Sequence, residues 1–272
     1  MNEAIKILFL GDIFGAPGIK ILEEHLKMLR EKYQVDLVIA QAENVSGRKG
    51  LIKKDYLKLK QIGVDIFTLG NHVWSKREIK SIIDNEDVIR PLNIKEHYQG
   101  QGVRTFTVKN KKLEVYSLMG IAFNKLMPPW TEEAAENFFD VMDKALSTSD
   151  ADYRFIDFHA ETTSEKNVLA WYLDGKVNAL VGTHTHVQTN DARILPKGSA
   201  YITDVGMVGP INSAIGANYQ EVYEKMRFNK KVRFQVSESE SQINGIVIEL
   251  GQVNKIIEII NLKPSATTNE VN

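Results

Sequence analysis

Short apolar runs alternating with segments of helical period constrain this chain more than any other feature. "IKILFL" (5–10) reads as a buried strand, and "GIKILEEHLKMLREKY" (18–33) as an amphipathic helix opening just after Pro17. "DLVIAQ" (36–41) is a second strand, "KDYLKLKQIG" (54–63) a helix ending at Gly63, and "VDIFTLG" (64–70) a third strand. Such a βαβαβ rhythm requires parallel strands joined by right-handed crossovers. The middle of the chain changes character. "GVRTFTVKNKKLEVYSLMG" (102–120) predicts a hairpin turning at "KNKK", followed by a helix at about 132–147 and the strand "DYRFIDFHA" (152–160). A helix at 164–174 leads to the strand "VNALVG" (177–182), and "SAYITDVGMVG" (199–209) reads as a further strand and turn. "INGIVIEL" (243–250) and "KIIEIINL" (255–262) form an antiparallel pair across "GQVN". The expected fold is an α/β sandwich with a mixed, partly antiparallel sheet system, in one domain over 1–262, with a loose tail at 263–272.

Each apolar strand runs into a polar cluster. "LFLGD" ends on Asp12, "VIAQAEN" on Glu43 and Asn44, and "IFTLGNH" on Asn71 and His72; "FIDFHAE" ends on His159 and Glu161, and "LVGTHTH" on His184 and His186. In open α/β sheets the carboxyl ends of the strands form one rim, where ligands bind. In an extended segment residues i and i+2 share a face, so His184 and His186 are expected side by side. Hard carboxylate oxygens, amide oxygens and imidazole nitrogens together suit two divalent cations, and a carboxylate such as Glu43 can bridge two ions and reduce their repulsion. Mixed ligands with open positions are what two-metal hydrolytic centres use on phosphate esters.

Composition narrows the rest. The chain of 272 residues has no cysteine, which excludes disulfide scaffolds, thiolate metal sites and a cysteine nucleophile. A formal net charge of −1 gives no electrostatic footprint for duplex DNA or an anionic membrane, and leaves small nucleotides or short single strands as candidate substrates. No run is long enough to span a bilayer or serve as a signal peptide, so a cytoplasmic protein is expected, with its oligomeric state open.

Here the pattern meets a family. "GD", "GNH" and "GTHTH" at successive strand ends resemble the calcineurin-like metallophosphoesterases, whose core is an αββα sandwich of two mixed sheets flanked by helices. "GDIFG", "AENVSGRKG", "TLGNHVW", "DFHAETTSEK" and "VGTHTHVQTND", in that order, look like the YmdB-type bacterial phosphodiesterases within it. Two departures from the broad superfamily agree with that subgroup: Phe14 stands where most members have a histidine, and Glu43-Asn44 where most have Asp. The resemblance implies one ion on Asp12, Glu43, Asn44 and His186, and a second on Glu43, Asn71, His159 and His184. It implies iron or manganese, with zinc admitted by the ligand types, and attack on a phosphodiester by a hydroxide bridging the two ions. His72 would protonate the leaving alkoxide as general acid. Cyclic nucleotides of the 2′,3′ type are the implied substrate.

The same residues have plainer readings. Taken one at a time, Asp12 reads as a turn residue, Glu43-Asn44 as loop polarity, His159 as a satisfied core histidine, and His72 as the neighbour of a helix cap. Glu161, Thr163 and Ser164 read as helix caps, Lys166 and Arg48 as solvated surface in preference to phosphate contacts, Asp191 and Asp204 as partners that orient histidines, and His25 and His97 as structural. "GDIFGAPG" lacks the spacing of a dinucleotide loop and the Gly-Lys-Ser/Thr of a P-loop. A regulatory scaffold that keeps the metals but acts through partner binding is the rival to an enzyme.

Overall fold

The computed structural model describes residues 4–263. The first half contains β1 (Ile5–Leu10), β2 (Asp12–Ile13), α1 (Gly15–Tyr33), β3 (Leu37–Gln41), α2 (Lys53–Ile62), β4 (Ile66–Thr68) and β5 (Val88–Ile89). Then come β6 (Val103–Val108), β7 (Lys111–Met119), α3 (Phe138–Thr148), β8 (Tyr153–His159), α4 (Thr163–Leu173), β9 (Ala179–Thr183) and β10 (Arg193–Ile194). The chain closes with β11 (Ala200–Ile202), β12 (Met207–Pro210), α5 (Tyr219–Phe228), β13 (Ser241–Leu250) and β14 (Lys255–Leu262). Apart from Lys263, the expected tail lies outside the described residues.

Two mixed sheets form. The first runs β2-β12-β13-β1-β3-β4-β5 with β14 added on β13, and the second runs β10-β11-β9-β8-β7-β6. β1, β3 and β4 are mutually parallel in the first sheet, as are β7, β8 and β9 in the second. The expected αββα sandwich is therefore present. Period-2 alternation explains the layering. On β1, Ile5, Ile7 and Phe9 face the other sheet, where they meet Val115, Phe155, Val181 and Ile202. Leu8 and Leu10 face outward onto Leu22, Leu26 and Leu29 of α1. The second sheet repeats the scheme, with Ile156 and Phe158 turned out onto Met142 of α3 and Leu169 and Leu173 of α4. Strands buried on both faces have to be continuously apolar, which is why the sequence shows runs rather than alternation.

Several boundaries differ from the sequence reading. α1 opens at Gly15, not after Pro17, because proline is tolerated in the first turn, where its missing N–H has no intrahelical partner. α3 begins only at Phe138, since the Asn137 side chain accepts from the Phe139 and Asp140 amides and fixes the start there. The preceding residues spend their backbone groups elsewhere: Leu126 N donates to Glu133 O, and Glu136 N to Asn93 O. The stretch 199–209 is two strands in different sheets, β11 and β12, broken at Gly206 with φ +91°. α5 carries no expectation from the sequence. The hairpin β6–β7 turns on Lys109 and Asn110, both at positive φ, as a two-residue turn matching strand twist demands.

The inter-sheet layer brings the two rims together. Phe9 and Phe155 stack across it with ring centroids 5.5 Å apart, and both are fully buried. Phe155→Ala is expected to lower stability by about 3–5 kcal/mol. Urea unfolding followed by circular dichroism checks this, and a midpoint within error of wild type would mean the layer does not couple the sheets.

Candidate metal centre

The carboxyl ends of β3 and β4 in the first sheet, with β2, which follows β1 after Gly11 and pairs with β12, meet those of β8 and β9 in the second. Glu43 follows β3, Asn71 and His72 follow β4, His159 ends β8, and His184 and His186 follow β9. Four donor atoms converge. His159 Nε2 lies 3.0 Å from Glu43 Oε1, 3.1 Å from Asn71 Oδ1 and 2.9 Å from His184 Nδ1. Adjacent ligand atoms at right angles around a cation with bonds of about 2.1 Å stand about 3.0 Å apart, so these spacings match a ligand shell. Glu43, His159 and His184 form a group able to hold one ion. Glu43 Oε1 is buried and has no hydrogen-bond partner of adequate geometry, while Oε2 accepts from the His72 backbone N–H at 2.7 Å. A buried carboxylate oxygen left without a donor is costly in a polypeptide alone and is satisfied by a cation. The residues present fit a metal.

Asp12, Asn44 and His186 form a second group. Asn44 Nδ2 donates to Asp12 Oδ1 at 3.2 Å and lies 3.2 Å from His186 Nε2, which is 3.6 Å from Asp12 Oδ1. The Asn44 amide turns its nitrogen inward because both neighbours are acceptors; a flip would present its oxygen. Asp12 also ties the sheets together, its Oδ2 accepting from the His184 backbone N–H at 3.0 Å. Phe14, in place of a histidine, sets its ring edge-on to His186 with centroids 5.4 Å apart. Gly70 has to be glycine: a Cβ there would overlap the His159 ring and the Glu43 carboxylate.

Each imidazole is anchored by the nitrogen that points away from the cluster. His159 Nδ1 lies 2.9 Å from Thr183 Oγ1 and 3.1 Å from Gln41 Nε2. Thr183 and Thr68 both donate to the buried Asp157, at 2.7 and 2.6 Å. His184 Nε2 lies 3.0 Å from Glu161 Oε2, and His186 Nδ1 lies 2.8 Å from the Ile215 carbonyl. Fixing the outer nitrogen sets the ring orientation and leaves the inner lone pair for an ion. Glu161 is thus one of these anchors and not a helix cap; Thr162 caps α4, its hydroxyl accepting from the Glu165 amide. Gln41, Thr183 and Ile215 were not foreseen. Gln41 is the last residue of β3, two before Glu43, whose amide donates to its Oε1 at 2.8 Å; a polar residue ending an otherwise apolar strand is the signal that could have found it.

The electrostatics follow from burying opposite charges together. Burial works to raise the Glu43 carboxyl, but His159 and His72 outweigh it and hold it down at about 2. Burial opposes a charged His159, yet Glu43, Asp12 and Asp157 push that imidazole up to about 9. His184 is pushed down to about 3 by burial and by the charge on His159, and burial lifts Asp157 to about 7.

The geometry of the histidine pair corrects the strand argument. β9 ends at Thr183, and His184 and His186 have φ of +98° and +65°, so neither is extended. Left-handed backbone at non-glycine residues is strained and persists only where its surroundings over-determine it. Thr185, between them, is held by Asp204 Oδ2, which accepts from its amide at 3.2 Å and its hydroxyl at 2.8 Å. Asp204 pairs in turn with Lys166 at 2.7 Å, and both side chains are buried. Lys166 is thus no surface residue, and Asp204 acts on the backbone between the histidines, not on an imidazole. Asp191 likewise contacts no histidine, accepting from Thr189 and Arg193 and from the Thr203 amide and hydroxyl.

A cleft of about 540 Å³ opens beside the cluster, lined in part by Asn71, His72 and the 125–130 segment. Trp130 in its wall donates Nε1–H to the Asn71 carbonyl at 2.8 Å. No described helix is long and apolar enough to cross a membrane.

Comparison with known proteins agrees with this architecture. The "YmdB-like protein" family matches residues 8–262. A Bacillus subtilis (strain 168) protein named 2′,3′-cyclic-nucleotide 2′-phosphodiesterase is 42% identical over 257 residues, covering 94% of this chain and 95% of that one. A crystal structure of a novel phosphatase from Mycoplasma pneumoniae is 39% identical with a TM-score of 0.88, covering 97% and 96% of the two chains. Haemophilus influenzae NAD nucleotidase, 13% identical with a TM-score of 0.59, covers 96% of this chain and 57% of its own, and shares the fold. A metallophosphoesterase-like fold thus carries an oxygen-and-nitrogen donor cluster, and the protein is a hydrolase. The chain belongs to the YmdB-like family.

Removing the Lys166 charge strands Asp204 beneath the histidine loop. Lys166→Met is expected to cost about 3–5 kcal/mol, with part recovered in the Lys166→Met/Asp204→Asn double variant. Chemical denaturation of the three proteins measures this; equal losses in the single and double variants would show that the buried charge is not the cause.

Proposed function

We propose that the protein is a phosphodiesterase that uses two metal ions to hydrolyse cyclic nucleotides, 2′,3′-cyclic phosphates foremost. The observation that carries the reading is the convergence of Glu43, Asn71 and His184 on His159 Nε2 within 3.1 Å, at the edge of a cleft. Glu43, Asn71, His159 and His184 would hold one ion, and Asp12, Asn44 and His186, with Glu43 shared, the other. Bound there, the pair supplies a water-derived nucleophile at neutral pH and Lewis-acid stabilisation of phosphoryl charge. The name of the 42%-identical Bacillus subtilis relative supports the substrate class.

The chain's own residues do the rest. His72 lies on the cleft wall, with Nδ1 3.4 Å from the Asn71 amide nitrogen. In the hydrolysis, water oxygen forms a new bond to phosphorus, the P–O2′ bond breaks, and His72 gives its proton to O2′. The product is a 3′-monoester. Burial lowers the His72 pKa and Lys49 adds to this, whereas Glu43 raises it. The substrate phosphate brings a further negative charge that favours the protonated acid.

Metal analysis combined with hydrolysis assays over 2′,3′- and 3′,5′-cyclic nucleotides tests the reading; a protein that binds no metal and cleaves none of them would overturn it. Glu43→Gln is expected to lose more than one metal per chain while keeping its circular dichroism spectrum. Retention of both ions in that variant would remove the bridging role.

His72→Ala is expected to keep its metals and lose about 10²–10⁴-fold in kcat for ribose leaving groups. The loss should shrink for nitrophenyl esters, whose leaving groups depart without a proton. An equal loss for every ester, or loss of metal, would make His72 a ligand or a phosphate-positioning residue.

A further inference from the structure

The cleft carries far more positive charge than one cyclic phosphate can use. Its lining includes five Lys or Arg residues and no Asp or Glu, in a chain that otherwise balances 34 Lys and Arg against 35 Asp and Glu. The cations come from every segment of the wall. Arg48 and Lys49 lie on the loop after β3, Lys76 follows β4, Lys125 precedes Trp130, and Arg233 precedes β13. Among the described residues, Arg48, Lys49, Lys76 and Arg233 make no salt bridge, while Lys125 meets Glu133 at 3.5 Å. The acid acting on Arg48 is Glu221, which already accepts from the Gln235 amide. Arg48 also lies over the Phe234 ring at 5.3 Å, a flat face in the same wall. Lys49 is close enough to Glu43 and His72 for their charges to interact, so the cationic track begins at the reacting centre.

A 2′,3′-cyclic mononucleotide presents one negative charge. The same cyclic group also terminates RNA, where a 2′-hydroxyl has attacked the adjacent phosphodiester, and there each upstream nucleotide adds one phosphate. Cations that follow a backbone, beside an aromatic or guanidinium face for a base, are the usual means of holding a single strand. Confinement of this charge to one cleft, on a chain of net charge −1, favours a short single strand over a duplex.

Resting on the phosphodiesterase reading above, we propose that the substrate is the 2′,3′-cyclic phosphate end of single-stranded RNA, with its upstream phosphates held by Lys49, Lys76, Arg48 and Arg233. The transesterification that cleaves RNA supplies this substrate, and the enzyme opens its cyclic end to a 3′-phosphate.

Kinetics of the manganese-loaded full chain on adenosine 2′,3′-cyclic phosphate and on a hexaribonucleotide ending in the same group test this. The hexamer is expected to have a kcat/KM at least about tenfold higher at low salt, and the advantage should decline with log[salt] with a slope of about −2 to −3, for three or four phosphate contacts. Arg233→Glu and Lys76→Glu should each reduce the hexamer-to-mononucleotide ratio severalfold. Equal kcat/KM for the two substrates, or a ratio indifferent to salt and to both charge reversals, would overturn the inference while leaving the phosphodiesterase reading intact. Failure to hydrolyse either substrate would sink both.

Discussion

The contact on which the site depends is the one between Glu43 and His159. Glu43 leaves the first sheet and His159 the second, and their side chains meet at 3.0 Å with both fully buried. Buried opposite charges in a low-dielectric setting are costly unless every remaining lone pair is matched, and Glu43 Oε1 is not matched by hydrogen bonds. The packing beneath, with Phe9 stacked on Phe155, fixes the spacing of the sheets and hence of this pair. Gly70 lets the β4 rim approach closely enough for Asn71 to join them.

Around that contact the protein commits rigid groups to orientation. Three imidazoles are held by three different outer partners: a threonine hydroxyl backed by Asp157, the Glu161 carboxylate, and a backbone carbonyl. Left-handed backbone at His184 and His186 brings both rings inward where an extended strand would have continued past the rim. The strain is held by Asp204 through Thr185, and Asp204 is balanced by Lys166. Stability is thus spent beside the site to preorganise it, as strained functional loops require.

Much of the fold was legible because strands buried on both faces produce apolar runs, and because Gly63 and the Lys109-Asn110 turn mark ends by local chemistry. The elements left unread are those that tertiary contacts decide. β12 is a separate strand only because Gly206 turns the chain into the other sheet, and α3 starts late because Asn137 caps it. Within the site, the polar residues at strand ends could be picked out as a group, since unpaired carboxylates and imidazoles rarely follow five buried strands. Lys166 could not: a lysine in an amphipathic helix looks solvated, and only the fold puts Asp204 beneath it. The i, i+2 spacing of His184 and His186 suggested adjacency for a reason the backbone does not use.

The Trp130–Asn71 contact has a consequence for regulation of occupancy. Trp130 belongs to the cleft wall, while Asn71 presents its side chain to the donor cluster and its carbonyl to the indole. A ligand that presses on the 125–130 segment therefore acts on the residue whose side chain reaches His159 in the donor cluster. On the two-metal reading proposed above, linkage would work in both directions: whatever free energy a substrate contributed by settling that wall, it would contribute equally to retention of the ion. Cation binding and substrate binding would then be linked equilibria, joined through the Trp130–Asn71 hydrogen bond.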